Sequence, residues 1–255
     1  MHLAHQQLFS NLDENGAIVV IQTSYANLSP FTAREEHTKY PIFFYPLENI
    51  KHLSGEEFIK LLYQEFPLLN KIIVGYDFHF GYKAAYDIQN LKNLFKGDVK
   101  IINEFKIDNI AVHSRVIRDY LRDGEISKAN NFLGYKYKLK GYPIKGQGLG
   151  KKQFVPTINL EIKNYLIPKE AIYITQTILN NVTYPSVTFI GHRVTTDGKF
   201  AVETHILDNI SEVTIPKSIE IKFFKKIRDN KKFEEFSSLK KEILNDIDIA
   251  KKYTY

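Results

Sequence analysis

The sequence predicts two domains of different class, an α/β domain followed by an all-strand domain that ends in one amphipathic helix. Three observations predict this. Short apolar runs alternate with helical apolar spacing through the first half, the pattern of strands joined by helices in a parallel sheet. After Gly134 the pattern changes to strands and turns. The last twenty residues return to helical spacing.

Taken in order, His2-Leu3-Ala4-His5 sets two histidines three positions apart, one turn of a helix. Ala17 to Ile21 reads as a short buried strand. Ser54-Gly55-Glu56-Glu57 is a capping box, with Ser54 as cap and Glu57 reaching back, and Phe58, Leu61, Leu62 and Phe66 follow at helical spacing. Lys71 to Val74 is a second buried strand that stops at Gly75. Ile88, Leu91, Leu94 and Phe95 predict another helix, and Gly97-Asp98 turns the chain into a strand from Val99 to about Phe105. Ligands of parallel sheets sit at the carboxyl ends of strands, and the segment Gly75 to Asp87 lies at such an end. Ser114 opens a helix that Asp123-Gly124 breaks. Ile126, Ala129, Phe132 and Leu133 form a second helical face, with Gly134 as its stop. In the strand Phe200 to Ile206, the residues Phe200, Val202 and Ile206 share one face and Glu203 and His205 the other. Leu239, Ile243, Ile247 and Ala250 mark the final helix.

Composition narrows the class. Of the 255 residues, 44% are hydrophobic and 25% charged, with 16 Tyr and 18 Phe to fill a core. There is no cysteine, which removes disulfides and thiolate metal sites and fits a reducing cytosol. The first residues lack a signal-peptide layout and no apolar run reaches membrane-span length. A cytoplasmic protein without membrane partners is expected. The formal charge of +6 suits an anionic partner, whether nucleotide, phosphorylated substrate or nucleic acid, and equally a lysine-rich solvated surface.

Two features of the second half carry chemistry. Gly146, Gly148 and Gly150, followed by Lys151 and Lys152, form a strip whose backbone N–H groups can approach phosphates. A hairpin turn accounts for the strip equally well. Thr157 and Asn159 then alternate on a strand, so both oxygens can face one Mg²⁺ or phosphate. The second feature is Glu203, a carboxylate within a largely apolar strand, where it needs a partner or a task. Either it faces solvent or it serves as a general base for an attacking hydroxyl.

Together these segments resemble riboflavin kinases. Pro156-Thr157-Ile158-Asn159-Leu160 is similar to that family's Pro-Thr-Ala-Asn-Leu signature, and Ala171-Ile172-Tyr173 to its Gly-Val-Tyr strand. Tyr184-Pro185 through Ile190-Gly191-His192-Arg193 resembles its Tyr-Pro-Gly-Val-x-x-Ile-Gly-x-Arg segment. Val202 to Asp208 is similar to the strand that holds its catalytic Glu, and Ile227-Arg228-Asp229 with Lys232-Phe233 matches its ending. The resemblance implies a small antiparallel β-barrel with a C-terminal helix over residues 131–255, and ATP-dependent phosphorylation of riboflavin to FMN. It assigns Glu203 as base, Thr157 and Asn159 to Mg²⁺ and phosphate, and the strip Gly146, Gly148 and Gly150 to the nucleotide. Ile158 replaces the usual Ala, and Phe154 the usual Gly.

The first half resembles the adenylyltransferase domain of bacterial bifunctional FAD synthetases. His2 to His5 is similar to His-x-Gly-His, Gly75 to Gly81 to Gly-x-Asp-Phe-x-Phe-Gly, and His113 to Arg118 to Ser-Ser-Thr-x-Ile-Arg. The resemblance implies a Rossmann-like nucleotidyltransferase fold over residues 1–130, in which FMN and ATP give FAD. By it His2 and His5 stabilise phosphate charge, and Asp77, Ser114 and Arg118 bind the nucleotide. Ala4 stands for Gly and Arg115 for Thr, and the family's strand and Phe-Asp-Gly turn ahead of the first His are not in the sequence. The expectation is a domain without its first strand that makes FAD poorly. Two other readings are a riboflavin kinase with a decayed adenylyltransferase domain and a non-catalytic nucleotide- or RNA-binding barrel. An RNA-binding face has no need of Glu203, so no nucleic-acid partner is expected.

Overall fold

The structure is a computed structural model that describes residues 1–23, 27–145, 155–195, 197–210 and 212–255. The chain divides into two compact units, Met1–His113 and Ser114–Tyr255. The division falls ahead of the helical pair that follows Ser114.

The first unit is built from parallel strands separated by helices. β1 (Ile18–Gln22) pairs in parallel with β2 (Ile42–Pro46), and β3 (Lys71–Gly75) with β4 (Asp98–Ile102). These form two separate two-stranded pieces, and a short antiparallel hairpin of β5 (Lys106–Ile107) and β6 (Ile110–Ala111) follows them. β2, the Ile-Phe-Phe-Tyr-Pro run, is one strand that sequence periodicity does not register. Its alternation is weak because Phe43 is exposed while Ile42 and Phe44 are only half-buried. Four helices accompany the strands: α1 (Leu3–Phe9), the short α2 (Leu47–Ile50), α3 (Gly55–Glu65) and α4 (Ile88–Leu94). The capping box at α3 forms as expected, the Ser54 hydroxyl accepting from the Glu57 N–H at 3.2 Å and the Glu57 carboxylate from the Ser54 N–H at 2.7 Å. Phe58, Ile59, Leu62, Val74, Phe80 and Leu91 make the core beneath. Asp87 caps α4 by accepting from the N–H groups of Gln89 and Asn90.

In the second unit, α5 (Ser114–Asp123) and α6 (Ile126–Leu133) precede a closed barrel. Gly134 takes φ +81° at the end of α6, a left-handed conformation that glycine adopts without a Cβ clash. The barrel strands are β7 (Lys138–Ile144), β8 (Ile158–Ile162), β9 (Ala171–Leu179), β10 (Val182–His192), β11 (Phe200–Ile206) and β12 (Ile219–Asp229), closing in the order β10-β11-β8-β7-β12-β9. All six pairings are antiparallel. α7 (Phe236–Lys251) packs on the outer face of β10 through Ile247 and Ala250.

The inward face of β9, β10 and β11 carries an unexpected layer. Thr175, Thr177, Ser186, Thr188 and Thr204 are fully buried. Their hydroxyls close a ring: Thr175 to Thr188 at 2.8 Å, Thr188 to Thr204 at 3.2 Å, Thr204 to Thr177 at 2.8 Å, Thr177 to Ser186 at 2.9 Å, and Ser186 back to Thr175 at 2.8 Å. Each hydroxyl can donate once and accept once around such a ring, so five buried polar groups satisfy one another. Because successive residues alternate faces, the residues between them, Ile172, Ile174, Val187, Glu203 and His205, point outward beneath α7. Phe200 departs from the expectation that it shares the buried face of Val202 and Ile206. It opens β11 and is 44% exposed.

Candidate functional sites

The first constellation lies in the second unit, in a cavity between the outer face of the barrel and α7. Its floor is set by register. Glu203 of β11 pairs with Asn159 of β8 on one side and Phe189 of β10 on the other, and Val187 pairs with His205. Ile172 of β9 and Val155 extend the apolar part of the floor, and Leu239, Ile243 and Ile247 of α7 form the roof. The result is an apolar slot with a polar end.

Glu203 sits at that polar end. Its Oε2 accepts from the Thr157 hydroxyl at 3.4 Å and its Oε1 from the Arg193 guanidinium at 3.2 Å. Arg193 also donates to Asp197 at 3.0 Å, which fixes it beside β11. Burial pushes the Glu203 carboxyl above its ordinary range, while Arg193 and Thr157 pull the other way. A carboxylate held there is a better base than an exposed one, since its proton affinity lies closer to neutrality. Asn159 lines the same end. His205 accompanies it with Nδ1 donating to the Pro156 carbonyl at 2.8 Å, so it fixes the backbone that leads into Thr157. Burial lowers the His205 imidazole from its usual value.

Thr157, Asn159 and Glu203 therefore meet in one cavity. Arg193, quoted in the Ile190 to Arg193 motif, was given no task by sequence reading. Its partner lies ten residues away across a hairpin, a distance that periodicity does not register. The strip Gly146, Gly148 and Gly150 lies outside the described residues. Among the described residues no three His, Asp or Glu side chains cluster as a metal site. The hydroxyl of Thr157 and the amide oxygen of Asn159 are hard neutral donors. They suit an ion such as Mg²⁺ that keeps water and substrate phosphate in most of its coordination positions.

The second constellation lies in the first unit. His2 is the N-cap of α1 and His5 its third helical residue, with rings stacked at 3.8 Å. The His2 N–H donates to His5 Nδ1 at 3.2 Å, which leaves the His5 proton on Nε2. Burial, joined by the charges of the amino terminus, Arg34 and His113, lowers His5 to about 4. At neutral pH His5 is thus an uncharged N–H donor. Arg34 is half-buried, its Nε donating to the Ser29 carbonyl at 3.0 Å. Tyr76 lies 3.3 Å from His113 and donates to Glu104 at 2.7 Å. Arg34 belongs to no motif of the sequence, and His113 heads the segment similar to Ser-Ser-Thr-x-Ile-Arg without a role of its own. Both lie far in sequence from the two histidines. Asp77 is exposed just past β3, its carbonyl accepting from His79 Nδ1 at 2.9 Å. Ser114 and Arg118 belong to the second unit, where Arg118 on α5 lies near Tyr137, and burial lowers its pKa.

Fold and cavity together define a two-unit protein whose second unit is a closed antiparallel barrel with a slot on its outer face, and the sequence model of the Flavokinase family, riboflavin kinase, matches residues 133–254. A bifunctional riboflavin kinase/FMN adenylyltransferase from Buchnera aphidicola of Acyrthosiphon pisum is 28% identical, over 99% of this chain and 90% of that protein. One from Listeria monocytogenes is 30% identical, over 66% of this chain and 55% of that protein. The alignment thus spans just over half of the second relative. A crystal structure described as a macrolide-efflux protein from Streptococcus pneumoniae superposes with a TM-score of 0.84 at 21% identity, covering 99% of this chain and 91% of the other, a likeness of fold. Residues 133–254 thus match the riboflavin kinase family, and the chain over nearly its whole length is similar to bifunctional riboflavin kinase/FMN adenylyltransferases.

Proposed function

We propose that this protein phosphorylates riboflavin with ATP to give FMN and adenylylates FMN to FAD. We assign the first reaction to residues 131–255 and the second to residues 1–130. The observation that carries the kinase reading is the convergence of Glu203, Thr157, Asn159 and Arg193 at one end of an apolar slot. The slot suits the flat ring system of a flavin, and the polar end suits its ribityl chain and the phosphates of ATP. The substrates are then small molecules, and the location cytoplasmic; among the described residues no helix is long and apolar enough to cross a membrane.

In the kinase reaction Glu203 takes the proton from the 5′-hydroxyl as its oxygen bonds to the γ-phosphorus. The bond to the bridging oxygen breaks and ADP leaves with that electron pair. Thr157 and Asn159 would hold Mg²⁺, which neutralises phosphate charge when bound. Arg193 keeps Glu203 ionised until the proton moves. Gly146, Gly148 and Gly150 would cover the nucleotide with backbone N–H groups. Phosphoryl transfer is chiefly positioning and charge neutralisation, so these parts suffice.

In the second reaction a phosphate oxygen of FMN bonds to the α-phosphorus of ATP, and pyrophosphate leaves. His2 and His5 stabilise the charge that develops there, His5 through its Nε2–H. Asp77, just past β3 in the same unit, would bind the nucleotide. The test is to incubate the purified chain with riboflavin, ATP and Mg²⁺ and to separate FMN from FAD. FMN formation is the expected result for the barrel, and FAD formation for the first unit. A folded protein that yields no FMN would overturn the kinase assignment.

A further inference from the structure

α7 is held to the barrel by two unlike means. From Asp246 onward it is anchored, with Asp246, Ile247 and Ala250 buried. Asp246 is 2% exposed and receives both Nε and Nη2 of Arg228, at 3.0 and 2.7 Å. Such a two-point pair fixes geometry as well as charge. Residues 236–245, by contrast, include no buried side chain. This half of the helix roofs the cavity with Leu239 and Ile243. It is tied down by Glu242, whose carboxylate meets Arg228 Nε at 3.3 Å and Lys231 Nζ at 3.2 Å. Arg228 and Lys231 both lie against the Phe233 ring, at 5.9 and 5.0 Å, so the tie ends on the residues that line the cavity's rim.

We propose that the first half of α7 is a hinged wall of the flavin cavity and that Glu242 is the positioning residue that latches it, through Arg228 and Lys231, over the bound ring system. The proposal rests on the riboflavin kinase reading. A flat ring must enter between Leu239 and Ile243 above and Val187 and Phe189 below. Apolar contact on both faces requires the roof to sit down once the ring is in place. The buried Asp246 pair marks the hinge end. The Glu242–Lys231 pair, with Lys231 half-exposed, marks the end that opens.

The latch has a signature that packing alone lacks. Riboflavin carries no charge, so salt has no direct effect on its binding. Salts that act on apolar burial strengthen it. An ionic latch predicts the reverse sign, because screening weakens exposed pairs.

The test is a flavin-fluorescence titration of the full chain, with KCl raising ionic strength from about 0.01 to about 1 M, where the screening length falls from roughly 30 to 3 Å. Wild-type affinity for riboflavin should fall by about two- to fivefold. Glu242→Gln should lose about the same factor at low salt and show a flat salt dependence. Lys231→Gln, which breaks the latch from the other side, should show a smaller loss and a shallower slope. In steady state both variants should raise KM for riboflavin and leave KM for ATP in place. A salt dependence that survives in Glu242→Gln, or a wild-type affinity that salt leaves unchanged, would overturn the latch while leaving the kinase reading standing. A wild-type protein that neither binds riboflavin nor forms FMN would overturn that reading, and the latch with it.

Discussion

Glu203 illustrates how a single side chain is tuned by opposing effects. Burial favours the neutral acid, and Arg193 and Thr157 favour the carboxylate. Glu203→Gln keeps the shape and removes the base, so FMN formation should fall by about 10²- to 10⁴-fold while riboflavin still binds. Steady-state rates beside a binding titration check this, and near-normal turnover would sink the role. Arg193→Gln removes the main influence that favours the ionised form, so the Glu203 carboxyl should rise further. A base works when deprotonated. The acid limb of the kcat profile should therefore move to higher pH in Arg193→Gln, and a pH series on the purified variant reads it directly. An unshifted limb would show that Arg193 serves phosphate alone. His5 follows the opposite logic: lowered to about 4 by burial and neighbouring positive charge, it stays neutral across the physiological range. FAD formation should accordingly show no limb from His5 near pH 6, unlike an exposed imidazole.

At the scale of elements, β11 presents two chemistries on its two faces. Glu203 and His205 face the cavity, and Thr204 faces the hydroxyl ring. The ring therefore fixes the strand whose outer face holds the base. Thr204→Val leaves Thr177 and Thr188 each short of a buried partner and should cost about 1–3 kcal/mol in stability. Denaturant unfolding measures this. In the Thr204→Val background, Thr177→Val should cost less than it does alone, since the ring is already broken, and additive losses would argue against a connected network. Helices α3 to α7 are legible in the sequence for a local reason. The Ser54 to Glu57 box and the Gly134 stop depend on residues within one turn of each other. β2 and Arg193 escaped because a half-exposed strand and a cross-hairpin ion pair leave no local period.

For the molecule as a whole, the helical pair bears on where the kinase can be cut. Ile126, Ala129 and Leu133 of α6 are buried, and Asn130 joins two elements, its Nδ2 donating to the Phe223 carbonyl at 2.9 Å and its Oδ1 accepting from the Tyr137 N–H at 2.7 Å. A fragment of residues 131–255 begins after Asn130 and strips that cover from β12. A fragment of residues 114–255 keeps it. Both should phosphorylate riboflavin, because the cavity residues lie beyond Val155. The longer one should be more stable by at least about 2 kcal/mol, the scale of losing a large buried side chain. Urea midpoints of the two fragments decide this, and equal midpoints would mean that α6 adds nothing to the barrel.

The two fold classes, the helix boundaries at caps and glycine stops, and the residue types at the polar end of the cavity are all legible in the residues alone. Those follow from periods and motifs that act over a few residues. It takes the folded barrel to set Glu203 and Asn159 opposite each other on β11 and β8, to return Arg193 to Glu203, and to roof with α7 a slot whose other wall is the outside of the barrel. The folded barrel likewise closes five hydroxyls, scattered over three strands, into one buried ring. The physical reason is register. A one-residue slip between strands exchanges the two faces of a sheet, and register is set by the closed barrel as a whole rather than by any one of its strands.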